Sequence, residues 1–245
     1  MEKTTYIYGL RAIIEAIESG QNLGKIYLLR EAEGVLMGGQ LKTLVNKNKI
    51  TSSFVPVEKL DKISSYGNHQ GAVASISPVD FASLEEILEK RNVESKEIYL
   101  LLDGVTDVRN FGAIIRTAEC TGVSAIIIGE SGSAPINPAT IKTSAGAVFN
   151  IPICKVSHIK DAVFLMKAYG ITTIGATEKS AKVIYDVDLN QSIALVMGSE
   201  DRGINPSTLK VIDEPIKLPM KGDIASLNVS VACGAILYEI VRQQG

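Results

Sequence analysis

The chain has no tryptophan, only two histidines and three cysteines, and each scarcity closes off a class of chemistry. His69 and His158 are the sole imidazoles, and no pair of Cys or His stands at zinc-ligand spacing, so no metal centre is expected. Cys120, Cys154 and Cys233 are odd in number, far apart and set in apolar segments, which reads as reduced core thiols rather than a disulfide framework. No apolar run approaches the roughly 20 residues needed to span a bilayer, so no membrane partner is expected. The opening Met1-Glu2-Lys3-Thr4-Thr5 lacks the basic-then-apolar layout of a secretory signal, and a cytoplasmic location is the expectation. The usual cofactor loops are missing too. No Gly-x-Gly-x-x-Gly follows a strand-like run, and the Gly20 to Lys25 stretch departs from a phosphate loop, with Ile26 where Ser or Thr would hold magnesium.

A strong charge of either sign is also absent. The formal net charge is −2, so no global attraction draws the chain to nucleic acid. Residues 1–77 nevertheless hold 9 Lys and Arg against 7 Asp and Glu, while the remainder hold 16 against 20. That balance neither requires nor excludes RNA, since phosphate contacts need only a local cluster.

What is present is a 245-residue globular composition, 46% hydrophobic and 21% charged, with room for two domains. Leu10, Ile13, Ile14 and Ile17 fall at helical spacing and stop at Ser19-Gly20. Extended pieces are expected at Lys25 to Leu29, Ser53 to Val55 and Ala72 to Ile76, with helices near Leu36 to Lys47 and Val57 to Ile63. Residues 1–77 therefore read as a small α/β domain, and the charged stretch 78–97, with one short helix at Leu84, Ile87 and Leu88, as a linker. From Ile98 the pattern changes. Apolar runs at Ile98 to Asp103, Ser124 to Ile128, Phe149 to Ile153, Ile171 to Ala176, Ile193 to Met197 and Pro215 to Leu218 alternate with helical stretches, and a last helix carries Val229, Ala232, Cys233, Ile236 and Ile240 on one stripe. Such alternation indicates an α/β domain over 98–245, built on a parallel sheet covered on both faces.

Ligands bind parallel sheets at the carboxyl ends of the strands. Three such ends carry polar motifs: Asn110 to Ala118, Met197 to Gly203, and Leu218 to Ser230. Each residue has a plain structural explanation. Asn110 reads as a helix N-cap, Arg116 as a surface partner of Glu119, Glu200 and Arg202 as loop residues, and Ser226, Asn228 and Ser230 as helix caps. Convergence of several polar candidates on strand ends favours a site instead. Glycines at 198 and 203 fit that reading, because they let backbone approach a ligand closely.

NFGAIIRTAECTG, ALVMGSEDRGI and LPMKGDIASLNVSVA resemble, in order and spacing, the three motifs of the SpoU/TrmH-type 2′-O-ribose RNA methyltransferases of the SPOUT superfamily. Residues 1–77, with Tyr8-Gly9 and His69-Gln70-Gly71, resemble the ribosomal-protein-like RNA-binding domain of the RlmB-like subgroup, which methylates a guanosine ribose in large-subunit (23S) ribosomal RNA. The resemblance implies a C-terminal domain with a deep trefoil knot, a homodimer with its active site completed across the interface, and S-adenosylmethionine as cofactor. It implies a cofactor pocket of Thr177, Gly198, Leu218, Met220, Ser226 and Leu227, and a catalytic group of Asn110, Arg116, Glu200 and Asn228. The rivals are a 2′-O-methyltransferase for transfer RNA or another ribosomal site, and a catalytically idle RNA-binding protein of the same fold. Few aromatic residues, 5% of the chain, are available to stack an extruded base, with Phe111, Tyr6, Tyr8 and Tyr66 as candidates.

Overall fold

A computed structural model describes residues 5–21, 23–30, 40–76, 80–223 and 226–245. The chain divides into two units, one formed by Met1–Asp80 with Ile136–Asn150, the other by Phe81–Pro135 with Ile151–Gly245. In the first, strands β1 (Thr5–Tyr8), β2 (Leu23–Leu29), β3 (Thr51–Val55) and β4 (Ala72–Ile76) form a mixed sheet in the order β1-β4-β2-β3, with only β2 and β3 parallel. Alternation along the strands sorts their side chains. Ile7, Ile26, Leu28, Ala74 and Ile76 are buried on one face, and helix α1 (Leu10–Glu18), which packs on β1 and β4, adds Ile13 and Ile17. The opposite face holds Val55 and Val73 under Leu60 of helix α3 (Val57–Ile63), bordered by Tyr6, Tyr8 and Tyr27. Between them, helix α2 covers Gln40–Lys47, and the expected helical start at Leu36 lies outside the described residues.

The second unit carries a six-stranded, fully parallel sheet in the order β10-β8-β9-β5-β6-β7. Its strands are β5 (Ile98–Asp103), β6 (Ala125–Gly129), β7 (Ile153–Val156), β8 (Thr172–Ala176), β9 (Ile193–Gly198) and β10 (Glu214–Ile216). Every residue from Ala125 to Gly129 and from Ile193 to Gly198 is buried. Helices cover both faces, which is why these strands read as unbroken apolar runs. Each fully buried Ile, Leu or Val is worth about 1.5–3 kcal/mol, so the central strands dominate the stability of this unit. Helix α4 (Leu84–Glu89), capped by Ser83, buries Leu84 and Leu88 in the same core as Tyr99, Leu101 and Met166.

Two expectations fail for local reasons, and one strand, β1, had not been expected. Phe149 to Ile153 is not a strand: Gly146 takes a left-handed φ of 89°, Ala147–Phe149 form a 3-10 turn, and β7 begins only at Ile153. Val148 and Ile151 are buried without strand pairing, and apolar content alone could not reveal that. Tyr6 to Tyr8 lie in an edge strand too short to show its alternation. Cys120 is exposed at the end of its helix, whereas Cys154 and Cys233 are buried.

Strand order creates one special place. After β5 the chain moves toward β6, and after β9 it moves toward β10 on the other side, so the segments leaving these adjacent strands diverge. A divergence of this kind opens a crevice at the carboxyl edge of a parallel sheet.

Candidate active site

Helix α5 (Val108–Cys120) begins beside that crevice. Its N-cap is Asp107, whose Oδ1 accepts from the N–H groups of Arg109 at 2.9 Å and Asn110 at 2.8 Å. Asn110 is therefore not the cap that its residue type suggested. Capping falls to the aspartate three residues earlier, and the Asn110 carboxamide is free to reach elsewhere.

The loop after β9 is shaped by its glycines. Ser199 and Gly203 exchange backbone hydrogen bonds of 3.1 and 2.9 Å, and Ser199 Oγ accepts from Arg202 N–H at 3.2 Å. Gly203 sits at φ 68°, and a Cβ at Gly198 would lie 2.0 Å from the Gly203 carbonyl carbon and 2.1 Å from Ile204 N. The close approach that Gly198 permits is thus to the loop's own backbone. Asp103, at the end of β5, anchors the far side by accepting from Asn205 N–H at 2.9 Å. Glu200 stands at the tip of this braced turn.

The third segment enters helix α9 (Val229–Gln244), which is capped by Asn228 as its residue type suggested. Asn228 Oδ1 accepts from Ser230 Oγ at 2.6 Å, Ser230 N–H at 3.0 Å and Val231 N–H at 3.4 Å. Because that oxygen is committed as an acceptor, the Asn228 amide nitrogen must be the end that turns to Asn110. It donates to Asn110 Oδ1 at 3.0 Å, and Asn110 Nδ2 in turn donates to Glu200 Oε1 at 2.6 Å. Orientation propagates along the chain: once the helix start fixes one carboxamide, both are fixed, and the relay ends on an acceptor that a carboxylate supplies. Glu200 Oε2 has no partner among the described residues.

Three of the four proposed catalytic residues, 90 and 118 positions apart along their two links, are therefore joined directly. Arg116 is not. It lies six residues along α5 from Asn110, about 120° around the helix at 3.6 residues per turn, and is exposed. The ion pair with Glu119 is not formed either.

Of the proposed cofactor residues, Gly198 ends β9 and Thr177 follows β8, whereas Leu218, Met220, Ser226 and Leu227 belong to the segment between β10 and α9. Thr177 directly follows β8, between Gly198 of β9 and the residues leaving β10, and its N–H donates to Ile216 O at 2.8 Å. Leu218 is half-buried beyond β10, and Met220, Ser226 and Leu227 are exposed. Phe111 is buried in the core and unavailable for stacking. Asp107, Asp103 and Ser199 support the site and escaped sequence reasoning. For Asp107 a signal existed: an aspartate directly before the helical run is the stronger N-cap position.

Two family models match. Residues 97–238 match the SpoU rRNA Methylase family, and residues 6–82 match the RNA 2′-O ribose methyltransferase substrate-binding family. The chain belongs to the SpoU family. It is an RNA 2′-O-methyltransferase by that membership, and it carries the substrate-binding domain as well. Among relatives, a putative TrmH family tRNA/rRNA methyltransferase, YacO of Bacillus subtilis, is 33% identical over 242 residues, covering 98% of this chain and 96% of its own. The 23S rRNA (guanosine-2′-O-)-methyltransferase RlmB of Pseudomonas putida is 33% identical over 247 residues, covering 100% and 98%. The SpoU methyltransferase AviRb of Streptomyces viridochromogenes, solved in complex with AdoMet, superposes with a TM-score of 0.79 at 25% identity, covering 98% of this chain and 90% of that one.

Proposed function

We propose that this SpoU-family member transfers the methyl group of S-adenosylmethionine to the ribose 2′-OH of a guanosine in large-subunit ribosomal RNA. The observation that carries the reading is the Glu200, Asn110, Asn228 relay at the crevice between β5 and β9. Full-length similarity to an RlmB supports the ribosomal target, and the AdoMet complex of AviRb supports the cofactor.

The residues present suit such a cofactor. Three adjacent strand ends offer backbone groups and the Thr177 hydroxyl, while Leu218, Met220 and Leu227 supply apolar surface, a mixture fitted to a ligand with a nucleoside and a thioether-like chain. When bound, it provides an electrophilic methyl carbon on a sulfonium. The protein's work is then to align the incoming hydroxyl and manage its charge. Glu200 Oε2 is available to accept a hydrogen bond from the hydroxyl, and Asn110 and Asn228 hold Glu200 in place. Arg116 offers a planar, cationic fork of hydrogen-bond donors rather than a base, so its role is to stabilise the developing alkoxide or a neighbouring phosphate. Alignment of two reactants supplies roughly 7–11 kcal/mol in favourable intramolecular cases, which makes positioning the main device. Arg116→Lys is expected to lower turnover strongly at neutral pH; near-normal turnover would remove the need for a planar guanidinium.

The same proposal includes the knotted path of the C-terminal segment and a homodimer. In favour of the dimer, α9 exposes Val231 at 56% and Tyr238 at 57%, with Val241 continuing the same helical stripe. The test is methyl incorporation from labelled S-adenosylmethionine into ribosomal RNA, ribosomal particles and transfer RNA, with the product mapped by mass spectrometry. 2′-O-methylguanosine in large-subunit RNA is the expected result. Transfer RNA as the only acceptor would overturn the target, and RNA binding with no incorporation would overturn the activity.

A further inference from the structure

Little aromatic surface exists in this chain, yet three tyrosines gather on one face of the first unit's sheet. Strand alternation puts Tyr6 and Tyr8 of β1 and Tyr27 of β2 on the face opposite α1, with Tyr8 and Tyr27 both registered to Val73 of the strand between them. The seven-residue helix α3 covers only the end of this face near Val55 and Leu29. Tyr6 and Tyr27 remain half-buried, their ring centroids 6.5 Å apart and their planes tilted by 56°. Over the Tyr27 ring stand two ammonium groups, Lys25 at 5.4 Å and Lys59 at 5.3 Å. Neither has a carboxylate partner among the described residues.

We infer that this face is a platform for single-stranded RNA, on which a base stacks against Tyr6 while Lys25 and Lys59, seated over the neighbouring Tyr27 ring, take the flanking phosphates. The inference rests on the reading of the protein as an RNA methyltransferase and adds where, and in what form, RNA is held. Two features decide the occupant. Cations with no carboxylate partner among the described residues, beside the half-buried ring of Tyr6, complement an anionic chain carrying flat π surfaces, and an apolar protein partner would offer these two ammonium groups no counter-charge. Bases within a duplex are stacked on one another and cannot reach a tyrosine on a sheet, so the bound segment is unpaired.

The experiment is fluorescence anisotropy of the full chain with a labelled oligoadenosine of about 12 nucleotides, within the span one such surface covers, and with the same strand annealed into a duplex. Tyr6→Leu keeps the apolar packing and removes the ring. It should weaken single-strand binding about 5- to 150-fold, the usual worth of one stacked base, and leave the duplex nearly unchanged. Tyr6→Phe should restore binding. Lys25→Gln should lower the slope of log affinity against log salt by about 0.7, one phosphate contact on a single strand. S-adenosylmethionine affinity, measured by calorimetry, should be that of the wild type throughout, and if Tyr6→Leu lost it by misfolding, Lys25→Gln carries the test. Wild-type affinity and salt slope in the variants, or equal losses on single strand and duplex, would overturn the platform. Methyl incorporation with unchanged RNA affinity in Tyr6→Leu would sink the platform alone; lost affinity in a chain that never incorporates methyl would sink the activity alone.

Discussion

Replacing Gly198 with alanine tests the geometry of the site with a single methyl group. The added Cβ would stand 2.0 Å from the Gly203 carbonyl carbon, 2.1 Å from Ile204 N and 2.5 Å from Gly203 O. All three are backbone atoms, so no side chain can rotate out of the way. The loop could retreat only by giving up the paired Ser199 and Gly203 hydrogen bonds, which hold the turn carrying Glu200. Overpacking of this kind costs about 1–3 kcal/mol, and giving up two hydrogen bonds at about 1 kcal/mol each costs about 2, so a loss of about 1–3 kcal/mol is expected. Thermal unfolding followed by calorimetry reads that loss in the transition of the C-terminal unit. Turnover should fall further than stability, because Glu200 is drawn away from the 2.6 Å contact with Asn110. A double-mutant cycle separates this from mere destabilisation: Glu200→Gln should cost much less activity in the Gly198→Ala background than in the wild type. Wild-type unfolding and turnover in Gly198→Ala, or strictly additive effects with Glu200→Gln, would refute the argument that this glycine exists to let the loop fold back on its strand.

Asp107→Ala removes the acceptor of two N–H groups and should cost about 1 kcal/mol of stability, with a fall in turnover because Asn110 sits in the loosened first turn; Asp107→Ser should recover both, as read by urea unfolding and methyl incorporation. Glu239 is held by Arg242 through bonds of 2.8 and 2.7 Å, and this guanidinium, with Gln243, lowers its pKa from 4.5 to about 2. The depressed value means the carboxylate stabilises the fold above its unfolded pKa and loses that effect on acidification, so the stability gap between wild type and Glu239→Gln should be constant above about pH 5 and close between pH 4.5 and 2, as measured by urea unfolding across pH. Burial pushes the Cys233 thiol up to about 12 and the Cys154 thiol up to about 11, so both should resist a maleimide reagent at neutral pH while exposed Cys120 reacts; peptide mass spectrometry showing label on Cys233 in the folded protein would contradict the packing beneath α9.

How much of this was readable without coordinates depends on the range of the physics involved. β5 and β9 were legible almost to the residue, because a strand buried on both faces leaves an unbroken apolar run whatever surrounds it. Phe149 to Ile153 is also rich in apolar residues, though broken by Asn150 and Pro152, and is no strand, since the left-handed turn at Gly146 diverts the chain before pairing can begin. At the site the contrast is sharper. Residue preference correctly made Asn228 a helix cap and wrongly made Asn110 one, although both are asparagines near a helix start. What separates them is Asp107, which takes over the backbone donors of α5 and leaves the Asn110 carboxamide unspent. Asn228 performs both tasks, its oxygen serving its own helix and its nitrogen serving Asn110. Local preference assigns each polar group to its nearest backbone, so it has no means of showing which group is left over. A functional carboxamide is one that the local accounts leave over, and the sheet order, by bringing β5 beside β9, decides what the leftover group meets.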